Sequence, residues 1–176
     1  GWDLRGTFES AGVPAVFVLP QLSFNRREEG AGRFLEEGFA RDYLAALGLP
    51  DDLPIALVAH SAGFETALAW IRRGGLDGRI RSIALMDALY AGTEPFADWV
   101  ADDDARTLAS WHTGRGSTAR QNARLVGLLT RRSVVVSETL GPSRAMVALT
   151  EAPHGEVPTE HLVEYVQWLD ARHPAR

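Results

Sequence analysis

The sequence predicts an α/β fold with a mostly parallel sheet, and three observations carry that prediction. First, Leu53–Phe64 (LPIALVAHSAGF) is a proline-bounded apolar run that passes through His60–Ser61–Ala62–Gly63 straight into a helical pattern reaching Trp70 and Ile71. Second, a further apolar run, Arg79–Leu85, follows Gly74–Gly75, which gives the strand, helix, strand spacing of a parallel crossover. Third, strand-like and helix-like stretches keep alternating to the end of the chain, with no repeat, low-complexity tract or linker to divide it. One domain over residues 1–176 is expected.

Taken in order, residues 2–11 read as a short helix weakened by Gly6. Val16–Leu19, between Pro14 and Pro20, reads as a short buried strand with Gln21–Asn25 at its carboxyl end. Residues 26–32 are polar and glycine-containing, a surface loop. From Arg33 to Leu47 the apolar positions 34, 35, 39, 43, 44 and 47 recur at helical spacing, and Gly48 and Pro50 stop that helix. Beyond Leu85, residues 91–104 read as a short helix on the rim or a small cap. Thr107–Trp111 is a short strand, Thr118–Leu129 a helix, and Ser133–Val136 and Ala145–Leu149 two more strands. A loop over 152–158 precedes an amphipathic closing helix carrying Leu162, Val163, Val166, Trp168 and Leu169.

The bulk properties remove several function classes. With 45% apolar and 23% charged residues and a net charge of -5, this is an ordinary globular composition whose acidic balance argues against nucleic acid as a partner. No segment approaches the roughly eighteen uninterrupted apolar residues of a membrane span. The chain has no cysteine, which excludes disulfides and thiolate chemistry and suits the cytoplasm without excluding export. The histidines never pair at ligand spacing, and Asp102–Asp103–Asp104 lacks the spaced oxygens and turning glycine of a calcium loop. No glycine-rich phosphate turn precedes a helix, so neither a metal nor a cofactor is expected.

What remains is nucleophilic chemistry. A strand, a serine between small residues and an immediate helix make a nucleophile elbow with Ser61 at its apex, although the first glycine of the usual glycine–x–serine–x–glycine pattern is here Ala59. A serine hydroxyl needs a base, and the base an orienting acid. His154, on the loop after the last apolar run, is the base expected, with His112 in reserve; His60 is expected to pack beside Ser61. Asp87, at the end of the strand after the elbow unit, is the acid, with Glu138 as its competitor. Both preserve the order serine, acid, histidine. The amide of Ala62 supplies one oxyanion donor. A second is sought near Leu22 and Ser23, or in the side chains of Gln21 and Asn25. Phe24, Leu89, Tyr90, Phe96 and Trp99 are candidates for lining a substrate pocket, with core packing as the alternative.

On Ala59–His60–Ser61–Ala62–Gly63, Asp87 within LMDALY and His154 within APHGEVP, the chain resembles the α/β-hydrolase superfamily over roughly residues 16–170. It is most like bacterial hydrolase-like proteins with an Asp-Ala-Leu-Tyr stretch and a following Phe-Ala-Asp-Trp, here at 87–90 and 96–99. The resemblance implies a three-layer sandwich and cofactor-free acyl transfer from an ester or amide to water, through an acyl-enzyme; a small cap over 91–104 would suit a small or medium substrate. In the superfamily's strand order, one strand beside the nucleophile strand precedes the run at 16–19. The resemblance therefore implies an upstream segment or a second chain that completes the sheet and its oxyanion loop, with residues 2–11 as the helix after it. The alternative is a different sheet order.

Overall fold

A computed structural model of the chain describes residues 2–20, 31–76 and 78–172. Its centre is a run of strands whose residues are apolar on both sides. These are β1 (Ile55–His60), β2 (Ile80–Met86), β3 (Thr107–His112), β4 (Val136–Ser137) and β5 (Ala145–Leu149). They form one sheet in the order β1-β2-β3-β5-β4, and every pairing is parallel. A parallel sheet must be covered on both faces. Accordingly, Ile83 and Leu85 of β2 enter one apolar cluster, and Ala84 and Met86 enter another.

Among the described residues six helices provide the cover: α1 (Leu4–Ser10), α2 (Phe39–Ala46), α3 (Phe64–Arg73), α4 (Thr93–Ala101), α5 (Gly116–Arg131) and α6 (Val157–Arg172). Phe64 and Trp70 of α3, Phe96 and Val100 of α4, and Leu125 and Leu129 of α5 fill the first cluster. Val157, Leu162 and Tyr165 of α6, with Leu4 and Phe8 of α1 against them, fill the second. The fully buried Tyr165 hydroxyl donates to Ser82 Oγ at 2.6 Å, and Thr107 donates to the same oxygen at 2.7 Å. The phenol's polar end is thereby satisfied inside an apolar layer, as burial requires. No helix among the described residues is long and apolar enough to cross a membrane.

The α/β class and the crossover from β1 through α3 to β2 are as expected; four local readings are corrected. Val16–Leu19 is not a strand. Val16 and Leu19 are exposed, while Phe17 turns inward to stack on Phe8 at 4.7 Å. Apolar alternation produces a strand only where a free ladder is within reach, and this stretch pairs with none. The helix expected over 33–47 is divided into a 3-10 turn at Gly32–Leu35 and α2, because Gly38 takes a left-handed φ of 74° between them. The strand over Ser133–Val136 shrinks to β4, since Ser133 itself is left-handed at φ 60°. Residues 91–104 are not a cap. They hold α4, the crossover helix between β2 and β3, whose Phe96, Ala97 and Val100 have no exposed surface.

Candidate active site

Parallel strands bring their carboxyl ends to one side of the sheet, where loops can meet. In this register His60 lies beside Met86, Met86 beside Trp111, and His112 beside Leu149. The residues that leave those four strand ends are therefore neighbours. They are Ser61 after β1, Asp87 after β2, Thr113 after β3 and the loop 150–154 after β5.

Ser61 opens a 3-10 turn, Ser61–Gly63, that joins β1 to α3 with no intervening loop. Its φ of 53° is left-handed, while His60 before it is still extended. A side chain held in that region costs about 1–3 kcal/mol, which the surrounding fold must supply. The turn is tight enough that a Cβ on Gly63 would stand 3.7 Å from that of Ala59. That is ordinary contact, so alanine in place of the first elbow glycine fits. Ala62 is exposed, and as an early residue of a helical turn its N–H has no intrahelical acceptor.

Asp87 is the second non-glycine residue with a left-handed φ at a strand end, at 46°. Only 3% of it is exposed, so its charge must be met by hydrogen bonds. Its N–H donates to the Trp111 carbonyl at 2.9 Å. Its carboxylate accepts from His154 Nδ1 at 2.7 Å, from the Thr113 hydroxyl at 3.2 Å and from the Thr113 N–H at 3.3 Å. Burial pushes this carboxyl up, but donors from Thr118, His154 and Thr113 together outweigh it and hold it below the usual carboxylate range.

His154 begins a 3-10 turn, His154–Glu156, directly ahead of α6. The loop that presents it is itself braced. The Thr150 N–H donates to the His112 carbonyl at 2.9 Å, and the Thr150 hydroxyl accepts from the Ala152 N–H and pairs with His161 at 2.8 Å. His161 in turn stacks on Trp111 with ring centres 4.9 Å apart. Because Nδ1 of His154 donates to Asp87, its Nε2 is left with a lone pair, as a base requires. The His60 ring lies 4.6 Å from the His154 ring, and His60 Nε2 donates to the His154 carbonyl at 2.8 Å. Burial, the largest influence on His60, pushes its imidazole below the ordinary histidine range despite that bond.

Asp87 and His154 are thus brought together, and Ser61 follows the residue whose ring lies tilted against that of His154. The Ser61 hydroxyl makes no hydrogen bond to His154 among the described residues. Glu138 is exposed beside β4, at the far edge of the sheet from β1, and does not reach His154. His112 is occupied as an acceptor, its Nδ1 taking the Gly114 N–H at 3.1 Å, and burial pushes it down too. Leu22, Ser23 and Phe24, with Gln21 and Asn25, lie outside the described residues.

Of the other pocket candidates, Leu89 and Phe96 have no exposed surface and are core residues, a correction that follows from the packing of α4, which carries Phe96, against the sheet. Trp99 lies at the opposite end of the strands. There, with Trp70, Ile80 and Arg106, it lines a cavity of about 660 Å³ remote from Ser61. Tyr90 alone stays at the site, half-exposed and edge-on to His154 at 6.4 Å. Thr113, and the bond from His60, were not foreseen; the signal for Thr113 was its place two residues beyond the predicted strand Thr107–Trp111, as Asp87 stands two beyond Arg79–Leu85. Among the described residues no three His, Asp or Glu side chains are grouped so as to hold a metal ion. Comparison with protein-family models, curated proteins and solved structures gives no match.

Proposed function

We propose that the protein is a serine hydrolase that cleaves an ester or amide through an acyl-enzyme on Ser61. The observation that supports this best is the 2.7 Å bond from His154 Nδ1 to the buried Asp87 carboxylate, next to a left-handed serine at a strand-to-helix turn. In this reading Nε2 of His154 takes the Ser61 proton as the oxygen attacks the carbonyl carbon. Asp87 orients the ring and offsets its positive charge. The Ala62 N–H donates to the developing oxyanion. His154 then protonates the departing alcohol or amine and accepts a proton from water; the hydroxide so formed attacks the acyl carbon, and His154 returns the proton to the Ser61 oxygen as the acid leaves. The β1 edge of the sheet has no strand beside it among the described residues, and Val58 there is 41% exposed. A strand added on that side, from this chain or another, would bring the second oxyanion donor at its carboxyl end.

A second reading, a binding protein on the same scaffold, is favoured by the missing Ser61–His154 bond. A fluorophosphonate probe separates the two. Stoichiometric labelling at Ser61 that disappears in His154→Ala is the expected result. An unlabelled wild-type protein that is folded by circular dichroism would overturn the enzyme reading.

A further inference from the structure

One bond at Nδ1 leaves the His154 imidazole free to swing about it, and the side chain is 42% exposed. Something must set the plane of the ring and the height of the turn that carries it. Among the described residues, His60 touches both. Its Nε2–H holds the His154 carbonyl at 2.8 Å, and its ring lies against the His154 ring at 4.6 Å with 34° between the planes. On its other side the edge of Trp2 closes on the His60 ring at 4.9 Å. His60 is also the last residue of β1, its neighbour in the chain is Ser61, and its main chain is locked in the β2 ladder opposite Met86.

We propose that His60 is a positioning residue for the base. It fastens the His154 turn to the end of the strand that carries Ser61 and sets the plane of the imidazole against Asp87, so that nucleophile and base keep one geometry. This role rests on the serine hydrolase reading above, although the tie itself can be tested without it. The donor must be the Nε2–H tautomer, because the carbonyl can only accept. A neutral ring at this place also adds no charge against the imidazolium that forms on His154 during acyl transfer.

The test uses the full chain and two substitutions. His60→Phe keeps a ring in the stack but removes the donor. His60→Gln returns an amide N–H at about the same reach. The first readout is the low-field proton resonance of His154 Nδ1–H, assigned by its loss in His154→Gln; the second is the rate of fluorophosphonate labelling of Ser61. His60→Phe is expected to displace or broaden the resonance and to slow labelling by roughly 100-fold, the scale set by an ångström of misplacement. His60→Gln is expected to restore both, labelling to within about tenfold of wild type. If His60→Phe does not fold, His60→Leu takes its place in the same comparison. An unchanged resonance in His60→Phe, or equal losses in the Phe and Gln variants, would sink the proposal. If the wild type does not label at all, the hydrolase reading fails separately, and the resonance alone decides whether His60 holds His154.

Discussion

Asp87 keeps a carboxylate almost entirely out of water, and Thr113 provides both a hydroxyl and an amide to keep it there. The sign of the resulting pH dependence follows from the depressed value. A carboxyl held lower in the folded chain than its ordinary value near 3.9 contributes stability above that value, and the contribution is lost as pH falls through the folded one. Thr113→Val removes the hydroxyl donor and raises the folded value. It is expected to cost about 1.5–3 kcal/mol at neutral pH and to move the midpoint of acid unfolding to higher pH, as followed by near-ultraviolet circular dichroism. An unmoved midpoint would show that Thr113 does not hold the charge. Ser61, Asp87 and His154 were legible because each follows an apolar run at a position where parallel strands end together. Thr113 stood at an equivalent place but carries no chemistry of its own, so nothing in its residue type drew attention to it. The His60 bond to a main-chain carbonyl 94 residues away has no sequence signature at all.

At the scale of the element, the glycines at the starts of α3 and α4 do different work. Gly63 has an ordinary helical φ of −58° and room for a methyl against Ala59. Gly63→Ala is expected to be neutral or to add about 0.4–1 kcal/mol by restricting the unfolded chain. Gly92 caps α4 with a φ of 71°, and a Cβ there would run into Leu68 of α3. Gly92→Ala is expected to cost at least about 1–2 kcal/mol, and paired urea titrations of the two variants check the contrast. The same distinction explains which elements could be read beforehand. β1, β2, β3 and β5 have apolar residues and partners on the sheet, so pattern and tertiary structure agree. Val16–Leu19 has the pattern without the partner. Phe96 and Trp99 showed in the sequence as aromatic residues on a helix, but only the placement of α4 between β2 and β3 buries both in the core and turns Trp99 toward the amino ends of the strands.

For the whole molecule, the sheet acts as a frame that collects groups from distant parts of the chain. Residues 61, 87, 113 and 154 belong to four separate strand-end connections, yet the ladder bonds from Asp87 to Trp111 and from Thr150 to His112 carry the register past the last strand residues and into those connections. Rigid strands beneath short loops are what positioning to within an ångström requires. This also accounts for what the sequence left open: adjacency of strand ends depends on strand order, and β5 lying between β3 and β4 cannot be inferred from the order of the chain.

The left-handed backbone at Ser61 has a consequence for how the protein can be improved and what that would cost. Its hydroxyl makes no hydrogen bond among the described residues, so the folded chain gains nothing visible from that side chain while bearing the conformational penalty of its Cβ. Ser61→Gly should therefore relax the turn and raise the melting temperature by about 2–4 °C per kcal/mol recovered, measured by differential scanning calorimetry. A lowered melting temperature would contradict this. The substitution would also end any acyl transfer. Selection for thermal robustness alone would thus discard this serine.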